Sequence, residues 1–340
     1  MTSEPAPSPR TLRIDRVRVP FRQPFRTARG DWEARESWIV RVQFEDGAER
    51  AGEVPVPFGG MPEAAPSDAA LEAAVADAVA TASCPVAGPA ADVGVNATIE
   101  AAGADRLAAA AVRAVGEGFR TLKVKVGGEA SSAELVERVR AVRDAVGPAT
   151  RVRLDANGAW DEVTAIERLR AVAPLDLELV EQPVEPGDAE ALARVRRAGG
   201  VPVAADEGVS SLADAERLLL AGAVDALVVK PSRVGGWRGA SRIGELALSA
   251  GVPVVVSTMF ETGIGLGVAA CAAARLAAIT PPGVPQLDHG LATADLLLDD
   301  LAVGLPRPEG GRLRALAAVP DADAIERYRV AAPIVRELGA

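Results

Sequence analysis

Apolar and polar residues alternate in two stretches near the start of the chain, IDRVRVPF and SWIVRVQFEDG, the second ending on a turn-forming Asp46-Gly47 pair. A period of two marks half-buried strands, so the pair predicts an antiparallel meander over about residues 12–56. Between them QPFRTARGDWEARE, residues 23–36, is polar and contains glycine, as expected of a mobile connection that covers a site. From Pro62 to Ala82 the spacing turns helical and Ala-rich, and the Pro- and Gly-rich Cys84–Ala90 reads as a linker. The Pro/Ser-rich first ten residues are expected to fray. A domain boundary is predicted near residue 90.

Beyond it, short β-rich runs alternate with longer amphipathic ones. The runs are VGVNATI (93–99), TLKVKVG (121–127), RVRLDANG (151–158), LELVEQP (177–183), VPVAADE (201–207), ALVVKPS (226–232) and VPVVVSTMF (252–260). Segments such as SSAELVERVRAVRDAVG and AEALARVRRAG between them carry helical periodicity. Strand, helix, strand at a repeat of about 25 residues predicts βα units in a parallel sheet. A doubly wound sheet would carry GxGxxG after its first strand, and that motif is absent here. Polar residues sit instead at the C-terminal ends of successive strands. A closed (β/α) barrel would gather them at one mouth, so a barrel is the predicted architecture.

Composition narrows the function. Of 340 residues, 49% are apolar and 25% charged, a globular balance. Lys+Arg 37 against Asp+Glu 47 gives a net charge of −10, which disfavours nucleic acid and anionic lipid as partners. The two cysteines, Cys84 and Cys271, lack metal-site spacing and read as buried small residues in a reducing compartment. With no apolar run of membrane-spanning length and no signal-like N-terminus, the expectation is a cytoplasmic protein without a membrane partner. The single histidine, His289, reads as a loop or packing residue, which leaves proton chemistry to lysines and carboxylates.

Three carboxylates, Asp155, Glu181 and Asp206, end three consecutive predicted strands at intervals of 26 and 25 residues, about one βα unit each. Gathered at one mouth they would repel one another unless a cation offsets them. An all-oxygen set without His or Cys favours Mg²⁺, with Mn²⁺ as a substitute. Lys123 and Lys125 share one strand face, and Lys230 ends the strand after Asp206, so ammonium groups would flank the ion from both sides. Burial and a dication would lower a lysine pKa and free an amine as general base. A metal holding a substrate carboxylate would acidify its α-C–H. Each element alone has a structural reading: KxK as a solvated strand face, DANG as an Asx turn, ADEG as a helix-end charge pair. Their order on successive strand ends is what carries the chemistry. Arg153, two before Asp155, is either an internal ion-pair partner or a residue that orients the ligands.

On TLKVKVG, RLDANGAW, ELVEQPV, VAADEGV, ALVVKPSRVGG and VSTMFETGIGL, the chain resembles the enolase superfamily, muconate lactonising enzyme subgroup. The resemblance implies an α/β fold, a modified TIM barrel (β/α)₇β with an α+β capping domain. Residues 1–90 would form the first part of the cap, 91–294 the barrel, and 295–340 a segment packing on the cap, with the 22–36 loop closing over the site. It further implies Lys125 as proton-abstracting base, Lys123 as its partner and Lys230 as the opposite-face lysine. Asp155, Glu181 and Asp206 would be the Mg²⁺ ligands, and Asn157 and Glu207 would lie beside substrate or ligands. The DHGLATADLLLDDL tail points to the branch that dehydrates a cyclohexadiene carboxylate in menaquinone biosynthesis, with Ser257, Thr258 and Gly263 as candidates for the substrate's second carboxylate. Racemisation of N-acylamino acids, cycloisomerisation, a Lys230 Schiff-base aldolase and a non-enzymatic metal-binding barrel are the alternatives.

Overall fold

A computed structural model of the chain describes residues 9–27, 30–57, 66–82, 92–304, 307–316 and 318–337. The N-terminal alternation folds as an antiparallel sheet in the order Ile334–Glu337, Pro9–Thr27, Gly30–Phe44, Glu49–Pro55. Leu12 and Ile14 face one side and Val17, Val19 and Phe21 the other, so both faces are apolar. The first packs on Leu71, Ala74 and Ala78 of the helix Asp68–Ala82. The second packs on Ile264, Leu297, Leu301 and Ile325. Asp15, fully buried in the first strand, accepts from Arg41 at 2.8 Å and Arg329 at 2.7 Å, tying the C-terminal segment to the N-terminal sheet.

Segment 22–36, expected to be a loop, is largely paired strand. The first two strands stay in register from Phe25↔Trp32 to Thr27↔Gly30, after an irregularity between Pro20 and Phe25. A two-stranded ribbon satisfies its backbone groups across the pair, so polar side chains do not prevent it from being a strand. Residues 28–29, the expected linker 84–90, residues 1–8, and 62–65 of the expected helix lie outside the described residues.

Seven parallel strands follow in sequential spatial order: Ala97–Ile99, Thr121–Lys125, Arg151–Asp155, Leu179–Glu181, Val203–Ala205, Ala226–Val229 and Val254–Val256. A helix follows each, from Ala104–Gly116 to Gly263–Ile279. One face of each strand (Leu122, Val124, Val152, Leu154, Leu227, Val229) packs under the helices. The other face points inward, where Leu179, Ala204, Ala226, Val228 and Val255 fill the half formed by the fourth to seventh strands. The remaining half is lined by Asn96, Lys123 and Arg153.

A short eighth stave closes the ring. His289 bridges Val95 on one edge and Gly290 bridges Ser257 on the other, both parallel. His289 N donates to Gly94 O (2.8 Å), Asn96 N to His289 O (2.9 Å) and Gly290 N to Val256 O (2.9 Å). Gly290 has no room for a side chain, because a Cβ would stand 2.5 Å from Ser257 Oγ. The fold is the (β/α)₇β barrel with its capping sheet. Among the described residues no helix is long and apolar enough to cross a membrane. The cysteine expectation changes: Cys271, buried in the last barrel helix, is disulfide-bonded, and no described cysteine is free.

His289 is a packing residue of that closing stave. Its Nδ1 accepts from Val256 N at 3.0 Å, and burial, with help from the Arg153 charge, pushes its pKa down to about 4. The unfolded chain binds the proton near pH 6.5, so the neutral imidazole's contribution is present above that pH and is lost as pH falls toward 4, by about 3 kcal/mol. His289→Asn keeps an acceptor without a titrating ring. Urea denaturation at pH 7 and pH 4.5 is expected to show a smaller pH-dependent loss in the variant. Equal losses in both proteins would contradict this reading.

Candidate active site

The strand register sets the site. Lys125 pairs with Asp155 and Asp155 with Glu181, so these three stand in one row across three staves. Glu181 pairs with Ala204, and Asp206 lies two residues further toward the mouth on the same face. The second, third and fourth strands end on Lys125, Asp155 and Glu181, and the chain leaving the fifth and sixth carries Asp206 and Lys230, which places buried charge at the mouth.

Lys123 Nζ stands 3.0 Å from Asp155 Oδ2 and 3.1 Å from Glu181 Oε1. Lys125 Nζ donates to Asp155 Oδ2 (2.7 Å) and Asn157 Oδ1 (2.8 Å), and Asn157 Nδ2 donates to Glu207 Oε1 (2.9 Å). Lys230 Nζ donates to Asp206 Oδ2 at 2.5 Å from the opposite arm. The structure thus brings together all three lysines, the three carboxylates, Asn157 and Glu207. Asp155 also accepts from Asn157 N at 3.2 Å, so the Asx turn and the charged role coexist in one side chain.

The charges explain the titration. Burial raises the Asp155 pKa, but Lys123 and Lys125 outweigh it and hold the carboxylate well below its usual range. Glu181 goes the other way: burial, reinforced by the Asp155 charge, pushes it up to about 8. Burial lowers the pKa of Lys123, yet Asp155, Glu181 and Asp206 together hold the ammonium above its ordinary value. Lys230 is likewise held up against burial, by Asp206 first. Among the protein groups the lysine shift therefore has the opposite sign to the one expected from burial and a dication, because the carboxylates dominate.

With the side chains in these positions, no three carboxylate, imidazole or thiol groups among the described residues stand together as a ready cation cage. Ammonium groups lie among the carboxylates instead. The donor set nonetheless suits a hard dication. Asp206 Oδ1 and Glu207 Oε2 are buried without a hydrogen-bond partner, and Glu181 is a buried carboxylate that its surroundings disfavour as an anion. Four carboxylates face three ammonium groups, all through oxygen, the ligand chemistry of Mg²⁺.

Other expected residues take different places. Arg153 donates to Glu178 (2.5 Å) and Asp288 O (2.7 Å), so of its two readings the structure displays the internal ion pair, below the mouth. Ser257 Oγ donates to Gly290 O (3.3 Å), and Thr258 Oγ1 meets Thr293 Oγ1 (3.1 Å). Gly263 N donates to the Asp300 carboxylate (2.9 Å). The polar groups of these three are thus engaged within the protein.

Gln182 counts among the polar strand ends in the sequence, with no role assigned to it there. Buried and left-handed at φ 40°, it accepts from Asp206 N and Gly208 N (both 3.0 Å) and donates to Val184 O (2.8 Å), fixing the backbone that carries Asp206. A polar side chain between a site carboxylate and proline in VEQP was the available signal. Gln182→Leu leaves two backbone donors without acceptors, and urea denaturation should show a loss of about 2 kcal/mol or more. An unchanged stability would contradict that assignment.

Residues 106–322 match the family model described as enolase C-terminal domain-like. An o-succinylbenzoate synthase of Thermobifida fusca is 43% identical over 212 residues, and the match covers 62% of this chain and 62% of that relative. One from Mycolicibacterium smegmatis is 38% identical over 234 residues, 67% of each chain. The L-Ala-D/L-Glu epimerase of Bacillus subtilis is 37% identical over 186 residues, 54% of this chain and 50% of the relative. Among solved structures, a dipeptide epimerase from Cytophaga hutchinsonii complexed with Mg and D-Ala-L-Val superposes with a TM-score of 0.79 at 25% identity, over 96% of this chain and 99% of that one. Muconate lactonizing enzyme from Pseudomonas fluorescens, with muconolactone, gives 0.81 at 22% identity over 96% and 100%, a likeness of fold.

Proposed function

The chain belongs to the enolase C-terminal domain-like family, and from that premise we propose that it is an o-succinylbenzoate synthase. The reaction is the syn-dehydration of 2-succinyl-6-hydroxy-2,4-cyclohexadiene-1-carboxylate to 2-succinylbenzoate, in menaquinone biosynthesis. The observation that carries the reading is the row of Lys125, Asp155 and Glu181, completed by Asp206 and faced by Lys230, in a chain 43% identical to one such synthase.

Asp155, Glu181 and Asp206 are the residues that would hold Mg²⁺. Bound there, the ion supplies positive charge to the substrate carboxylate as negative charge builds on it. Lys125, the more exposed of the paired lysines, takes the α-proton. Its ammonium then hands a proton to the departing hydroxyl on the same face, which makes the loss of water syn. Lys123, lodged between Asp155 and Glu181, keeps Asp155 anionic and holds the two carboxylates in line. Lys230 favours the enediolate from the other face by its charge. Asn157 orients Lys125 and is itself braced by Glu207.

The opposed lysines also suit an N-acylamino acid racemase, in which each exchanges the α-proton on its own face, and the epimerase relative keeps that reading in play. Steady-state turnover of the cyclohexadiene carboxylate against a panel of N-succinylamino acids, with Mg²⁺ and then with EDTA, separates the two. Mg²⁺-dependent dehydration is the expected result. Fast racemisation without dehydration would overturn the lyase reading and leave the fold untouched.

A further inference from the structure

Two buried side chains of the capping sheet reach over to the barrel mouth. Glu53 accepts from Thr262 N (3.2 Å), Thr262 Oγ1 (2.7 Å), Gly265 N (3.1 Å) and Ser37 Oγ (2.6 Å). Three of these donors belong to the start of the helix Gly263–Ile279, whose first amide is taken by Asp300. Arg35 donates to Met259 O (3.4 Å) and to Val56 O. Gly265 allows the approach, because a Cβ there would stand 2.6 Å from Glu261 Cβ and 3.1 Å from Glu53 Oε2.

Between the two anchors lies the turn Met259–Thr262, which leaves the seventh barrel strand. Glu261 accepts from Met259 N at 2.5 Å and from the Ser232 hydroxyl, two residues after Lys230. Phe260 sits at φ 62°, and its ring meets Phe21 edge-on at 6.5 Å. A bulky residue in the left-handed region is strained and persists only where its surroundings over-determine it. Cap, turn and the Lys230 loop are therefore mechanically joined.

We infer that Glu53 is a positioning residue for substrate selection: by capping the last barrel helix it holds the Met259–Thr262 turn, with Phe260, as a wall beside Lys230 that meets the part of a carboxylate substrate remote from its α-carbon. The identity of that substrate rests on the synthase reading. Within the ETGIG motif, Thr262 and Gly265 are the residues that donate to Glu53 of the cap.

The test compares full-length wild type with Glu53→Gln, Thr262→Val and Thr262→Ser, using hydrogen exchange of peptides over residues 257–266 alongside kcat and KM. Glu53→Gln and Thr262→Val are expected to speed exchange in those peptides about tenfold and raise KM about tenfold with kcat within about twofold, whereas Thr262→Ser, which keeps the hydroxyl, stays near wild type. If Glu53→Gln does not fold, Thr262→Val against Thr262→Ser carries the comparison. Unchanged exchange at 257–266 overturns the inference whatever the substrate. So does faster exchange with unaltered KM, which marks a merely structural contact. A wild-type enzyme that racemises N-succinylamino acids without dehydrating sinks the synthase reading instead, and the same KM comparison on those substrates then judges Glu53.

Discussion

Lys125→Ala is expected to lower kcat for dehydration about 10³–10⁴-fold, at the upper end of what one acid–base group supplies, because a single amine serves both proton transfers. The variant should fold normally, since Lys125 lies at the mouth and its partners Asp155 and Asn157 retain other hydrogen bonds. Measured on the cyclohexadiene carboxylate with saturating Mg²⁺, KM should change little. The loss is then one of transition-state stabilisation rather than of binding. A decrease smaller than about tenfold would remove Lys125 from the role of base and leave Lys123, which the carboxylates hold protonated, as a poor replacement.

Lys230→Ala separates lyase from isomerase. In a dehydratase, Lys230 supports the anionic intermediate by charge alone, and its loss should slow dehydration by about 10²-fold. In a racemase, it exchanges the proton on its own face, so the variant would lose α-deuterium incorporation from one enantiomer of an N-succinylamino acid and keep it from the other. Proton exchange followed by NMR in D₂O, on both enantiomers, reads this directly. Dehydration that persists at wild-type rate would show that Asp206 needs no partner at 2.5 Å for catalysis.

The barrel was legible because its strands alternate charged ends with apolar interiors at one repeat length, and the register bears the repeat out: Lys125, Asp155 and Glu181 stand in one row. The closing stave was not legible. Two bridging residues, His289 and Gly290, have no periodicity to read, and their strand character comes from the edges they join. The pairing of residues 25–27 with 30–32 was hidden for a related reason, since backbone pairing does not need apolar side chains. In the site, spacing indicates which groups share a mouth but not how their charges balance. The upward shift of Lys123 and the rise of Glu181 to about 8 follow from distances that only the folded chain fixes. Glu53 lies about 200 residues from the turn it anchors, and nothing in GEVPVP foretells that contact.

The proposed chemistry requires one divalent ion shared by Asp155, Glu181 and Asp206, and calorimetric titration of the protein with Mg²⁺ tests that most directly. One ion per chain is expected, with affinity lost about tenfold or more in each of Asp155→Asn, Glu181→Gln and Asp206→Asn. Wild type that takes up no Mg²⁺, or variants that bind it as tightly as wild type, would contradict it.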